Sequence, residues 1–192
     1  MMQLLKEAIL RDGVGIGTEI VKVDSFLNHR IDVALSTEMG KAFYEAFKDD
    51  GVELILTVEA SGIAAAITAA QAFGNIPVVF AKKGDHRNVG NDVYTADVYS
   101  FTHQKMNTIR VSRKYLPAGS RVLIIDDFLA NGEAVEGLRS IVQQAGCELV
   151  GAGICVEKGF QPGGKKLREG GMKVVSLAIV DAIDDGKIIL RD

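Results

Sequence analysis

Residues 121–134, Arg-Val-Leu-Ile-Ile-Asp-Asp-Phe-Leu-Ala-Asn-Gly-Glu-Ala, constrain the fold more than any other stretch. The run Val122 to Ile125 is apolar at every position, as in a strand covered on both faces, the usual state of a central parallel strand. Two carboxylates, Asp126 and Asp127, follow at once and predict that the strand ends over 121–126. Open α/β sheets place their ligands at such carboxyl ends. Behind the acids, Ala134, Leu138, Ile141, Val142 and Ala145 fall on one stripe of a helix predicted over 132–145. Ala130, Asn131, Gly132, Glu133 and Ala134 therefore form a small-residue entrance to a helix, where free backbone N–H groups bind phosphate. Asp126 and Asp127 can hold sugar hydroxyls or metal-bound water, or simply mark a strand end and charge the next helix start.

The rest of the chain alternates the same two patterns. Helices are predicted over 2–12, 33–49, 63–73 and 163–170, and strands over 20–23, 52–58, 77–81, 148–157, 172–179 and 187–190. Segments 93–102 and 108–112 are expected to pair as antiparallel strands across a turn at 103–107, with 24–29 left as a loop. Strands alternating with helices imply an α/β fold whose twisted sheet is mostly parallel with right-handed crossovers. The 192 residues show no linker or repeat, so a single domain over 1–192 is expected. Gly13, Gly15 and Gly17 do not make a dinucleotide fingerprint, since no strand precedes them and the spacing is wrong.

A net charge of −3 argues against a nucleic-acid surface. The first thirteen residues carry Lys6, Glu7, Arg11 and Asp12 and read neither as a secretion signal nor as a membrane span. Cys147 and Cys155 lack metal-site spacing and read as buried, reduced thiols, which fits the cytoplasm.

Three further stretches carry chemistry. Glu59-Ala60-Ser61-Gly62 is a second strand-to-helix corner with exposed amides, or an ordinary βα turn. Lys82 and Lys83 close a strand, and His86 and Arg87 follow in a polar stretch; these cations attract a polyanion, or form a solvated basic loop. Lys158-Gly159-Phe160 offers a donor and an aromatic plate in one loop, suited to a flat ring bearing a carbonyl. Adenine would set donor against donor there, so the pair favours a 6-oxopurine.

The 121–134 stretch resembles the ribose-phosphate signature of the type I phosphoribosyltransferases, with Asn131 where threonine is more usual. Glu59-Ala60-Ser61-Gly62 resembles the pyrophosphate loop of that family. Together with Lys22 to His29, Tyr99 to Thr102 and Glu157 to Gly163, the likeness runs over about residues 2–180 to the purine phosphoribosyltransferases that use xanthine. The resemblance implies a type I phosphoribosyltransferase fold with a small N-terminal hood (about 1–32, with the C-terminal strands) and a flexible lid near 82–92. It implies transfer of phosphoribosyl from 5-phosphoribosyl diphosphate (PRPP) to xanthine, with guanine or hypoxanthine as the alternative base. A non-catalytic purine regulator on the same fold is the alternative from another class. PRPP would be bound by 130–134, by Ala60, Ser61 and Gly62, and by Lys82, with Asp126 and Asp127 at the ribose or metal-bound water. The base would meet Val21, Phe26, Asn28, Lys158 and Phe160, while His86, Arg87 and His103 are lesser candidates than Lys82 for the diphosphate. Magnesium (Mg2+) would be held mainly through the diphosphate, with no direct protein ligand assigned. A homodimer, and a cis peptide near Ala60–Ser61, complete the expectations.

Overall fold

The chain's apolar runs build the centre of a sheet. A computed structural model describes residues 1–84, 92–100 and 105–192. Within it the strands are β1 (Val14–Ile16), β2 (Ile20–Lys22), β3 (Leu54–Val58), β4 (Val78–Lys83), β5 (Val93–Ser100), β6 (Lys105–Ser112), β7 (Arg121–Leu129), β8 (Glu148–Lys158), β9 (Val174–Asp184) and β10 (Lys187–Leu190). The helices are α1 (Gln3–Asp12), α2 (Val33–Phe47), α3 (Gly62–Ala72), α4 (Glu133–Gln144) and α5 (Gly163–Glu169). The main sheet runs β10-β9-β8-β7-β3-β4-β6-β5, and β1 and β2 form a separate hairpin. Pairing is parallel from β9 through β8, β7 and β3 to β4, and antiparallel at β10 and at β5–β6. The fold is thus α/β with a mostly parallel sheet, as the alternating patterns imply.

Side-chain size explains the layers. α2 and α3 cover one face with Met39, Phe43 and Phe47, and the alanine stripe Ala65, Ala66, Ala69 and Ala70 lets the two helices approach closely. Gly40 makes that crossing possible, because a Cβ there would overlap the Thr68 carbonyl. α4 seals the other face with Val135, Leu138, Ile141 and Val142. The β5–β6 hairpin curls onto α4 at Gly137, where a Cβ would run into Val98 and approach Ile109.

The N-terminal pieces are laced to the last strands. The Met2 N–H donates to the Leu177 carbonyl, Gly15 to Gly186, and Lys6 Nζ to the Arg191 carbonyl. Leu5 and Ile9 of α1 are buried in the same core as Ile183 and Ile188.

Four local readings need correction. β7 does not stop at the acids: it continues to Leu129, because β8 pairs beside it through Phe128–Val156 and Leu129–Glu157. Residues 14–16, read as loose glycine-rich chain, pair as a strand with β2. Asp24–Asn28 is a short π-helical turn rather than an open loop. Cys155 is buried, whereas Cys147 is only half-buried, and both are free. The 82–92 lid, with His86 and Arg87, and His103 lie largely or wholly outside the described residues.

Candidate active site

β4 lies beside β3 on one side, and β7, β8 and β9 add outward on the other. The order therefore reverses between β3 and β7, the position where open α/β sheets bind ligands. Both strands there lead into helices whose first turns lack a side-chain cap: α3 after Ser61 and α4 after Gly132. α2, away from the crevice, is capped by Asp32, which accepts from the Leu35 N–H. The uncapped amides leave donors and the positive end of each helix dipole free for anions. Gly132 takes φ +92°, a left-handed conformation that a β-carbon disfavours, and so aims the first turn of α4.

The acids sit just beneath this corner. Asp126 and Asp127 are 4% and 6% exposed. Asp127 accepts from Ser61 Oγ (2.9 Å) and from Asn28 Nδ2 (3.0 Å), while its own N–H donates to Asp126 Oδ1 (2.9 Å). One carboxylate thus ties the hood turn to the β3–α3 corner. Burial, reinforced by the neighbouring charge of Asp127, raises Asp126 well above the usual carboxylate range; the Lys83 ammonium pulls the other way. Gly62 packs here for lack of room, since a Cβ would come within 2.7 Å of Asp126 Oδ1. The corner contains a cis peptide bond at Glu59–Ala60, one bond before the expected place.

A cavity of about 630 Å³ lies next to the corner, lined by Val58, Lys83 and residues 128–135, whereas Ala60, Ser61, Gly62, Asp126 and Asp127 are not among its lining residues. Ala130 to Ala134, Phe128, Lys158 and Gln161 all line it. Lys158 Nζ donates to the Glu19 carbonyl (2.9 Å) and lies 6.0 Å from the Phe128 ring centroid. Its partial burial lowers its pKa below the ordinary lysine range.

The loop holding Lys158 is closed on itself. Glu157, the residue before it, takes a fork from Arg168 (2.8 and 2.6 Å) and a hydroxyl from Ser176. Burial alone would raise the Glu157 carboxyl, but the Arg168 and Ser176 bonds with the Arg168 charge outweigh it and hold it low. Inside this closure the Gly163 N–H donates to the Ala130 carbonyl (3.1 Å), and a Cβ on Gly163 would collide with residues 130–132. The loop after β8 therefore buttresses the 130–132 loop directly.

The chain matches the family model "Phosphoribosyl transferase domain" over residues 23–184. It belongs to that family. A xanthine phosphoribosyltransferase of Ruminiclostridium cellulolyticum is 56% identical over 187 residues, covering 97% of this chain and 98% of that one. One from Clostridioides difficile is 50% identical, covering 99% and 100%. Among solved structures, an adenine phosphoribosyltransferase of Giardia lamblia with 9-deazaadenine superposes at a TM-score of 0.73 over 93% of this chain and 97% of that one. At 18% identity that match bears on the fold alone.

Within this phosphoribosyltransferase, sequence reasoning and geometry part on the base side and at one lysine. Lys82 lines a different cavity, with Phe80 and Arg110, whereas Lys83 lines the one next to the corner. Strand alternation sends neighbours to opposite faces, so only one of the pair can reach the crevice. Val21 and Phe26 are buried in the α1–α2 core, and Glu19 and Ile20 form the hood's cavity wall instead. Asn28 donates one of its two amide N–H groups to Asp127. Phe160 and Phe128 both pack against the core, and Phe128, which has no role in the sequence expectations, also lines the cavity. Its position directly after the two acids was the available signal.

Proposed function

We propose that this phosphoribosyltransferase transfers the 5-phosphoribosyl group of PRPP to xanthine, giving xanthosine 5′-monophosphate and diphosphate. The observation supporting the reading is that residues 130–134 and Lys158 line one cavity, which suits a phosphate and a base joined through one sugar. The full-length likeness to xanthine phosphoribosyltransferases supports the choice of base.

In the reaction a ring nitrogen of the base forms a bond to the sugar's anomeric carbon. The bond from that carbon to the diphosphate oxygen breaks, its electron pair leaves with diphosphate, and the base's displaced proton passes to solvent. Positive charge builds on the sugar ring, as in other glycosyl transfers. Ala130 to Ala134 hold the 5′-phosphate through backbone N–H groups, and Ala60, Ser61 and Gly62 present theirs to the departing diphosphate. Lys83 takes the cationic role first expected of Lys82. Asp127 faces the ribose, held in place by Ser61 and Asn28. Lys158 donates to the base oxygen at C6, and Phe128 stacks on the ring in place of Phe160. Catalysis rests on alignment and on stabilising the leaving group, with no covalent enzyme intermediate.

Magnesium belongs to this reading as a companion of the substrate. Among the described residues no group of three or more His, Cys, Asp or Glu is placed to hold a metal, and both Asp127 oxygens already accept side-chain donors. These residues do not make a protein-held site, so no step is assigned to the ion. A hard cation takes oxygen ligands, which the diphosphate, the ribose and water supply.

The proposal places one catalytic unit over residues 1–192, in a cytoplasmic homodimer acting on small molecules alone. Among the described residues no helix is long and apolar enough to cross a membrane. The exposed Val33 and Tyr44 on α2 offer apolar surface for a second copy. Diphosphate release from PRPP, measured with xanthine, guanine, hypoxanthine and adenine in turn, tests the function. Xanthine is expected to give the highest kcat/KM; no release with any purine would remove the reading.

A further inference from the structure

β3 and β4 part company where the proposed diphosphate corner begins, and one side chain spans the gap. Their last paired residues are Val58 and Ala81, after which the Glu59 N–H donates to the Ala81 carbonyl (3.0 Å). The next rung of a parallel ladder would run from the Lys83 N–H to the main-chain carbonyl of Glu59. The Lys83 N–H donates to Oε1 of the Glu59 side chain (2.6 Å). The carboxylate thus stands in for its own residue's carbonyl while the backbone turns out of the sheet into Ala60, Ser61 and Gly62. The other edge of β4 is held by the main chain: Lys82 and Lys83 pair with Arg110 and Ile109 of β6, and the Gly84 N–H donates to the Thr108 carbonyl (3.0 Å). Between them the two edges fix the phase of the strand's end, which decides that Lys83 and not Lys82 meets the cavity beside the corner.

We infer that Glu59 is a positioning residue: its carboxylate holds the Lys83 backbone so that the ammonium is presented to the cavity for the diphosphate. The inference rests on the function proposed above and gives a task to the one residue of the Glu59–Gly62 corner which that reading leaves without one. An acid in direct contact with a polyanion would set like charges together. Acting through Lys83, the same acid helps the anion to bind. A charged acceptor on a backbone N–H is also stronger than a carbonyl, so the substituted rung is no weak link. Glu59 thereby joins the corner that offers backbone amides to the strand that offers the cation, and keeps the two in register.

A double-mutant cycle tests this. The wild type, Glu59→Gln, Glu59→Ala, Lys83→Ala and the Glu59→Ala, Lys83→Ala double variant are compared for the KM of PRPP and of xanthine, with hydrogen exchange at the Lys83 amide measured alongside. Glu59→Ala is expected to raise the PRPP KM about tenfold, to leave the xanthine KM nearly unchanged and to speed exchange at Lys83. Glu59→Gln keeps an acceptor of the same length and is expected to restore most of the PRPP KM. In the Lys83→Ala background, Glu59→Ala is expected to change the PRPP KM no further, because the two residues act as one unit. An equal rise in both KM values, a Gln variant as impaired as the Ala variant, or a full additional loss in the Lys83→Ala background would overturn the assignment. Should Glu59→Ala not fold, Glu59→Asp, one methylene too short for the bond, takes its place in the cycle. Failure of the proposed function reads differently: the wild type then releases no diphosphate with any purine, whereas exchange at the Lys83 amide is read without turnover.

Discussion

The phosphate end and the base end of the cavity are built in opposite ways. The proposed phosphate end comes from one continuous stretch, the end of β7 and the start of α4, and in the proposal works through backbone amides and a left-handed glycine. The proposed base end is assembled from Glu19 and Ile20 of the hood, Phe128 on β7, Lys158 at the end of β8 and Gln161 after it. Its donors are side chains, and its geometry depends on how remote segments dock. Backbone recognition tolerates changes of side chain but not of chain path; side-chain recognition is the reverse. One end therefore suits an invariant ligand, the other a ligand among which the protein must choose.

Four substitutions press on this contrast, and the largest effect is expected where the two ends meet. Asp127→Asn removes the charge joining the hood, the β3–α3 corner and β7, and is expected to lower kcat by about a hundredfold or more with the melting temperature little changed. Stopped-assay rates near wild type would take the acid out of the chemistry. Next, Lys158→Ala removes a charged donor from the base end alone. Its expected cost of about 1.5–3 kcal/mol corresponds to a ten- to hundredfold rise in the KM for xanthine, with the PRPP KM unmoved. Gly163→Ala approaches the phosphate end from the base side. Because the new methyl would collide with residues 130–132, the PRPP KM is expected to rise several-fold, more than the KM for xanthine. A larger effect on xanthine would show the two ends to be less separate than described.

The smallest effect concerns stability. The native state holds Asp126's proton to higher pH than the unfolded chain does, because burial raises this carboxyl. Its contribution is complete below the unfolded pKa of about 3.9 and is lost as pH rises through the raised native value. Asp126→Asn keeps a neutral group there at every pH, so its melting temperature, relative to wild type, is expected to increase from acid to neutral pH. A difference that stays flat across that range would show Asp126 to ionise in the folded protein as it does in the unfolded one.

The same contrast explains what could be read from the residues alone. The apolar run 122–125, the paired acids and the stripe on α4 are local patterns, and they mark the phosphate corner directly. Lys158 was equally visible, standing at the end of an apolar run before a glycine. Lys82 and Lys83 look alike in sequence, and only the register of β4 against β6 separates their faces. Val21 and Ile20 pose the same problem: a one-residue difference in strand phase decides between core and cavity. Phe128 was hidden because β7 was expected to end before it, and the pairing with β8 that carries it onward is non-local. The Glu157–Arg168–Ser176 closure joins three elements and has no signature along the chain.

The lacing of α1 and β1 to β9 and β10 has a consequence for how the enzyme comes into being. During synthesis the 130–132 loop gains its Gly163 contact only once α5 begins to emerge, and the hood has nothing to dock on until residues 174–190 follow. On the proposed function, a nascent chain therefore assembles its anion-binding loop before its purine chamber has a wall, and selectivity for the base is the last property the growing polypeptide acquires.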